Sequence, residues 1–189
     1  MLIQILRFLL ETLFFLLIGA ALLRAYMNWV RVNMSAQPGH FVMALTDWLV
    51  KPLRRTLPKP LAQSRLDWAS VLAAVLSALA YALLWGVLFG VLLGAGYDWS
   101  SLGPASWLAL LGFALKMLVR VALQTTMLVV LGYVLVSWLQ PGSPVHSLLA
   151  RLSEPLLGPL RRIVPVVGGV DLSALVLLLL LQVGLIVLA

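Results

Sequence analysis

KPLRRTLP, residues 51–58, returns as GPLRRIVP at residues 158–165, a displacement of 107 positions in a 189-residue chain that is otherwise mostly apolar. Hydrophobic residues make up 63% of the sequence and charged ones 10%, with a mean hydropathy of +1.10. Soluble domains hold roughly 45–50% apolar and about 25% charged residues, so this composition belongs in lipid. There is no cysteine, which excludes disulfides, thiolate metal sites and thiol chemistry. The formal net charge of +7 sits mostly on loop arginines beside apolar runs. That location points to anionic lipid headgroups and away from nucleic acid.

Around the two arginine motifs, four runs meet the ~20-residue length of a helical membrane crossing. They extend from Phe8 to Val30, from Trp68 to Leu93, within Ala105–Trp138, and from Leu172 to Ala189. The third is too long for one upright crossing: either it tilts, or its start, ASWLALLGFAL, lies along the interface. The first lacks the basic leader and small-residue cleavage site of a signal peptide. The fold class expected is therefore an all-α integral membrane protein with four transmembrane helices.

Lys and Arg in short loops orient such a chain. The segment between the first two runs carries Arg31, Lys51, Arg54, Arg55, Lys59 and Arg65. The segment between the last two carries Arg151, Arg161 and Arg162, and the connection GYDWSSLGP carries none. Both arginine motifs then face the cytoplasm, with both termini and the middle loop outside.

The duplication extends beyond the motifs. Thr46-Asp47 aligns with Ser153-Glu154, Trp29 with Trp138, and Asp67 with Asp171. Each unit reads span, basic segment, aspartate, span, giving two parallel two-helix repeats over residues 1–97 and 98–189. In the first basic segment Phe41, Ala44, Leu45, Trp48, Leu49 and Leu53 recur at helical spacing opposite Asp47, Lys51, Arg54 and Arg55. In the second, Leu148, Leu149, Leu152, Leu156, Leu160 and Ile163 oppose Arg151, Glu154, Arg161 and Arg162. This is the pattern of amphipathic interfacial helices whose Lys51, Arg54, Arg55, Arg151, Arg161 and Arg162 meet lipid phosphates or a protein partner. Pro52, Pro155 and Pro159 predict short, kinked pieces. Asp67 and Asp171 each precede an apolar run, as helix caps or as partners of the arginines in their own repeat.

The residues LLRAYMNW, TDWLVKPLRRTLP, SEPLLGPLRRIVPVVGGVDLS and VLLLLLQ resemble the YggT (YlmG-related) family of small bacterial inner-membrane proteins. The resemblance covers nearly the whole chain, although Ala174 stands where the family commonly has proline. It implies an inner-membrane location and no assigned enzymatic activity. It also implies an association with osmotic or ionic stress tolerance, or with division and cytochrome assembly functions.

Within the spans, Arg7 aligns with Lys116 and Glu11 with Arg120, each pair at i, i+4 spacing. Intramembrane charges are rare and usually look inward. Glu11 pairs with Lys116 or Arg120 across the repeat axis, or these side chains snorkel separately to headgroups. Arg24 aligns with Tyr133, so it has no charged counterpart; it snorkels or meets a headgroup or ion. Ser70, Ala74, Ala78, Ala82, Gly86, Gly90 and Gly94 place a small residue at every fourth position of the second span. That row predicts a packing face, against another span or a second subunit. His40 and His146 stand alone, without metal-ligand spacing, and no catalytic constellation or cofactor motif can be assembled. The expected function is a non-enzymatic membrane scaffold or assembly factor docking anionic lipids or a membrane protein. The alternative is an oligomeric channel or transporter component in ion or osmotic homeostasis.

Overall fold

The computed structural model describes residues 1–32, 39–58, 66–92, 104–162, 164 and 171–188. Gly94, Lys59, Arg65 and the Gly168-Gly169 turn lie outside them. Six helices and no strand occur among the described residues: α1 Leu2–Trp29, α2 Gly39–Thr56, α3 Trp68–Leu92, α4 Pro104–Leu139, α5 Pro144–Arg161 and α6 Leu172–Val187. Three of them, α1, α3 and α4, are long and apolar enough to cross a membrane, and α6 is a shorter apolar helix. The third apolar run is one continuous 36-residue helix, so its start does not break off as a separate interfacial piece.

α1, α2 and α3 pack on one another, as do α4, α5 and α6; α1 and α3 also pack on α4. The main core lies where α1, α3 and α4 meet. Ile18 and Ala21 of α1, Ala73, Ala74 and Ala78 of α3, and Val121 of α4 are buried there. Lipid offers little hydrophobic drive between spans, so close contact of small residues provides the adhesion through dispersion. The small-residue row accordingly faces inward from Ser70 to Ala82. At Gly86 the expected close approach fails: a Cβ there would meet nothing within 4 Å. About one turn earlier the Tyr81 ring lies among Phe14, Trp85 and Phe113, so bulky rings rather than small residues make the contact at this end. The tight crossing is instead at Gly19 of α1, where a Cβ would stand 3.0 Å from Thr125 Oγ1 of α4.

α1 ends in a Schellman turn. Val32 N–H donates to Met27 C=O at 3.0 Å and Arg31 N–H to Asn28 C=O at 3.1 Å. Arg31 occupies the left-handed position, with φ of 58°, usually held by glycine. The buried Val32–Met27 contact secures the turn.

The two basic segments correct the expectation drawn from their prolines, for each is a single helix of 18 residues. A proline inside a helix removes one hydrogen bond and costs about 3 kcal/mol in isolation. Here Pro52, Pro155 and Pro159 all lie on the exposed side, where the deprived carbonyls can take other donors. The opposite sides are anchored by fully buried Val50 and Leu157. Ser143 caps α5 by accepting from His146 N–H at 3.1 Å, with Pro144 in the first turn.

Candidate functional site

Consecutive residues on a helix point about 100° apart, and this angle separates the two members of each double arginine. Arg54, its side chain half-exposed, donates from Nη2 to the buried Asp67 Oδ2 at 2.6 Å. Arg161 does the same, with Nη2 2.8 Å and Nε 2.9 Å from Asp171 Oδ2. Arg55 and Arg162 stay exposed. Both aspartates therefore pair with the arginine of their own segment, across to the helix that follows.

Around Asp67 the brace is extended by α1. Arg24 is only 6% exposed. Its Nη1 lies 2.8 Å from both Thr46 Oγ1 and Asp47 Oδ1, and its Nε 3.8 Å from Asp67 Oδ2. This corrects the snorkelling expectation: a guanidinium two turns inside the helix end is met by carboxylates from α2 and from the start of α3. Ser70 Oγ donates to Asp67 at 2.9 Å, and Lys51 Nζ lies 2.8 Å from Asp47. The Lys51 ammonium holds the Asp47 carboxyl below the usual carboxylate range against the effect of burial, with Arg24 assisting.

The corresponding site around Asp171 uses different chemistry. Tyr133 stands in the place of Arg24, and its hydroxyl accepts from Arg161 Nη2 at 3.0 Å. Arg161 also reaches Glu154 at 2.6 Å, and the His146 ring stacks on Tyr133 with centroids 5.7 Å apart. Asp171 is a helix cap as well, accepting from Ser173 N–H at 3.1 Å and from the Ser173 hydroxyl. Burial pushes its carboxyl up, but the Ser173 hydroxyl and Arg161 outweigh that and lower it. Ser153, at the position matching Thr46, is fully buried, and among the described residues its Oγ is left without a partner. Tyr26 ties the two clusters together by donating from its hydroxyl to Leu152 C=O at 2.6 Å.

The outward surface of α2 carries Phe41 and Trp48, 59% and 63% exposed, beside Lys51 and Arg55. The buried face is Val42, Thr46 and Val50, a third of a turn from the stripe read from sequence. Arg151 and Arg162 are the exposed cations of α5. At the opposite end of the bundle Glu11 lies 4.0 Å from Arg7 on its own helix. It shares a cavity with Lys116 and Arg120. Among the described residues no three His, Asp or Glu side chains assemble as metal ligands.

Long apolar helices with buried ion pairs collected at one end define an all-helical membrane protein. The chain belongs to the CCB3/YggT family, whose family model matches residues 3–88 and 112–189. It is 34% identical to the uncharacterized protein YggT of Escherichia coli strain K12 over 179 residues, 94% of this chain and 86% of that protein. An uncharacterized protein of Vibrio alginolyticus is 32% identical over 177 residues, covering 93% and 88% respectively. One of Pseudomonas aeruginosa is 33% identical, covering 88% of this chain and 79% of its own length. No solved structure matches.

Proposed function

We propose that the protein is a non-enzymatic scaffold or assembly factor of the bacterial inner membrane. It has four spans in two repeats and docks anionic lipids or a membrane protein through the exposed faces of α2 and α5. The observation that carries this is the division of labour within the basic helices. Arg54 and Arg161 direct a guanidinium at Asp67 and Asp171, Arg54 staying half-exposed, and Lys51 meets Asp47. Lys51, Arg55, Arg151 and Arg162 still present exposed cations, those of α2 beside exposed Phe41 and Trp48. Cations interleaved with exposed aromatic rings on a short helix are the make-up of a headgroup-level surface.

Sequence separations support the membrane placement. Arg24 and Arg7 are seventeen residues apart on α1, as are Tyr133 and Lys116 on α4. Asp171 is seventeen residues from Leu188, whose carbonyl accepts from Arg120 at 3.0 Å. At 1.5 Å per residue each interval is about 25 Å, close to the ~27–30 Å of a hydrocarbon core. On this measure α6 crosses between the same two polar layers as its neighbours, despite its 16 residues. The family model matches two segments, 3–88 and 112–189, one within each proposed repeat. The positive-inside rule, applied to the loop arginines, supports a cytoplasmic side for α2 and α5.

The test is a fourfold variant, Lys51→Gln, Arg55→Gln, Arg151→Gln and Arg162→Gln, crosslinked in native membranes. Retention of helical content with loss of co-purifying anionic lipid or partner is the expected result. Undiminished co-purification overturns the reading.

A further inference from the structure

The layer opposite α2 and α5 holds charges that the docking surface leaves unused. A cavity of about 220 Å³ between α1, α3 and α4 is lined by Arg7, Glu11, Tyr81, Trp85, Lys116 and Arg120. A second, of about 340 Å³, shares Glu11, Met117 and Arg120 with it and continues along Phe8, Phe15 and Gln124. Three cations and one carboxylate thus line the pair. Arg7 is fixed by Trp85, with its Cζ 5.3 Å from a ring centroid, and Glu11 is 4.0 Å from its Nε. Arg120 is held by the Leu188 carbonyl, a neutral acceptor that cancels no charge. Cationic side chains converging on one cavity offer an anion charge-assisted hydrogen bonds. The first cavity has room for the five heavy atoms of a phosphate at ~30 Å³ per water-sized group. Guanidinium groups match that anion's geometry.

We propose that this cavity binds the phosphate of an anionic phospholipid, with Arg7, Lys116 and Arg120 around the phosphate and an acyl chain along Phe8, Phe15 and Met117. The second cavity has a mixed lining, with Thr12, Glu11 and Gln124 beside Phe8, Phe15 and Met117, and its rings and thioether favour a lipid over free phosphate. The proposal rests on the membrane placement above and is independent of docking at α2 and α5.

Binding is measured by native mass spectrometry and thermal shift on the full chain in detergent. The probes are dioleoylphosphatidylglycerol, dioleoylphosphatidylcholine and inorganic phosphate. Phosphatidylglycerol is expected to bind, and Lys116→Gln with Arg120→Gln to weaken it about tenfold or more, as loss of charge-assisted hydrogen bonds requires. Glu11→Gln removes the one carboxylate and is expected to tighten binding several-fold, while Lys116→Arg retains it. These two variants decide the matter if the double variant does not fold, and unchanged affinity in Glu11→Gln then overturns the site. Equal binding of phosphatidylcholine overturns recognition by charge. Protection by inorganic phosphate with the lipid inert overturns the lipid assignment. The fourfold α2/α5 variant is expected to bind phosphatidylglycerol at this cavity undiminished, which separates failure here from failure of the docking surface.

Discussion

Arg24 and Asp67 meet at 3.8 Å between Nε and Oδ2, each less than a tenth exposed, joining the C-terminal part of α1 to the start of α3. Arg54 approaches the same Asp67 oxygen from α2, so one carboxylate is shared by guanidinium groups from two helices. Removing Arg24 leaves the buried Asp67 with only the half-exposed Arg54 as a cationic partner. Arg24→Met leaves Asp47 and Asp67 without their buried partner and is expected to destabilise by about 3 kcal/mol, the lower end for a broken buried pair because Arg54 and Lys51 remain. Thermal unfolding in detergent micelles, read by helical circular dichroism, checks it. A double-mutant cycle with Asp67→Asn is expected to show non-additivity.

The second cluster supplies a matched control. Thr46 accepts from Arg24, whereas Ser153, at the equivalent position, has no partner for its hydroxyl among the described residues. Thr46→Val removes a bonded hydroxyl and is expected to cost about 1–3 kcal/mol; Ser153→Ala removes an unbonded one and is expected to be neutral or stabilising. Equal losses in the two variants would break the correspondence between the clusters.

The long apolar helices were legible from the sequence, because apolar length is a local signal. For each aspartate the sequence left helix cap and arginine partner open; the structure pairs both with arginine and makes Asp171 a cap as well. The pairing of Arg24 was not legible. Aligning the repeats sets it against Tyr133, which hides the pairing, and no local spacing brings Thr46, Asp47 and Asp67 together. A usable signal did exist: four of the six acidic residues sit inside the two basic segments, where loop solvation alone gives them no purpose. On α2 the rings of Phe41 and Trp48, read from the sequence as facing lipid, are exposed. The bundle contact goes to Val42 and Val50, a third of a turn away, which hydropathy alone did not single out.

Glycine substitutions test where the spans touch. A Cβ at Gly19 meets Thr125 Oγ1 at 3.0 Å, while one at Gly86 meets open space. Gly19→Ala is expected to lower stability by about 1–3 kcal/mol through overpacking of α1 on α4. Gly86→Ala is expected to be neutral or to gain up to about 1 kcal/mol in helix propensity. A loss at Gly86 and none at Gly19, measured by thermal melting, would put the contact at the other end of α3.

The braces also carry a pH signature. Lys51, with Arg24, holds Asp47 below its ordinary value of 3.8, and the Ser173 hydroxyl with Arg161 does so for Asp171 against its burial. A carboxylate whose folded value is depressed contributes stability that is complete above the unfolded value and is lost as pH falls through the folded one. Melting temperature is therefore expected to be insensitive to these groups between about pH 7 and 5 and to fall below about pH 4. Asp171→Asn is expected to lower the neutral plateau and make the acid loss shallower, since the charge that Arg161 binds is gone at every pH. An unchanged acid limb in that variant would mean that Asp171 is not among the groups whose protonation loosens the inner end of the bundle.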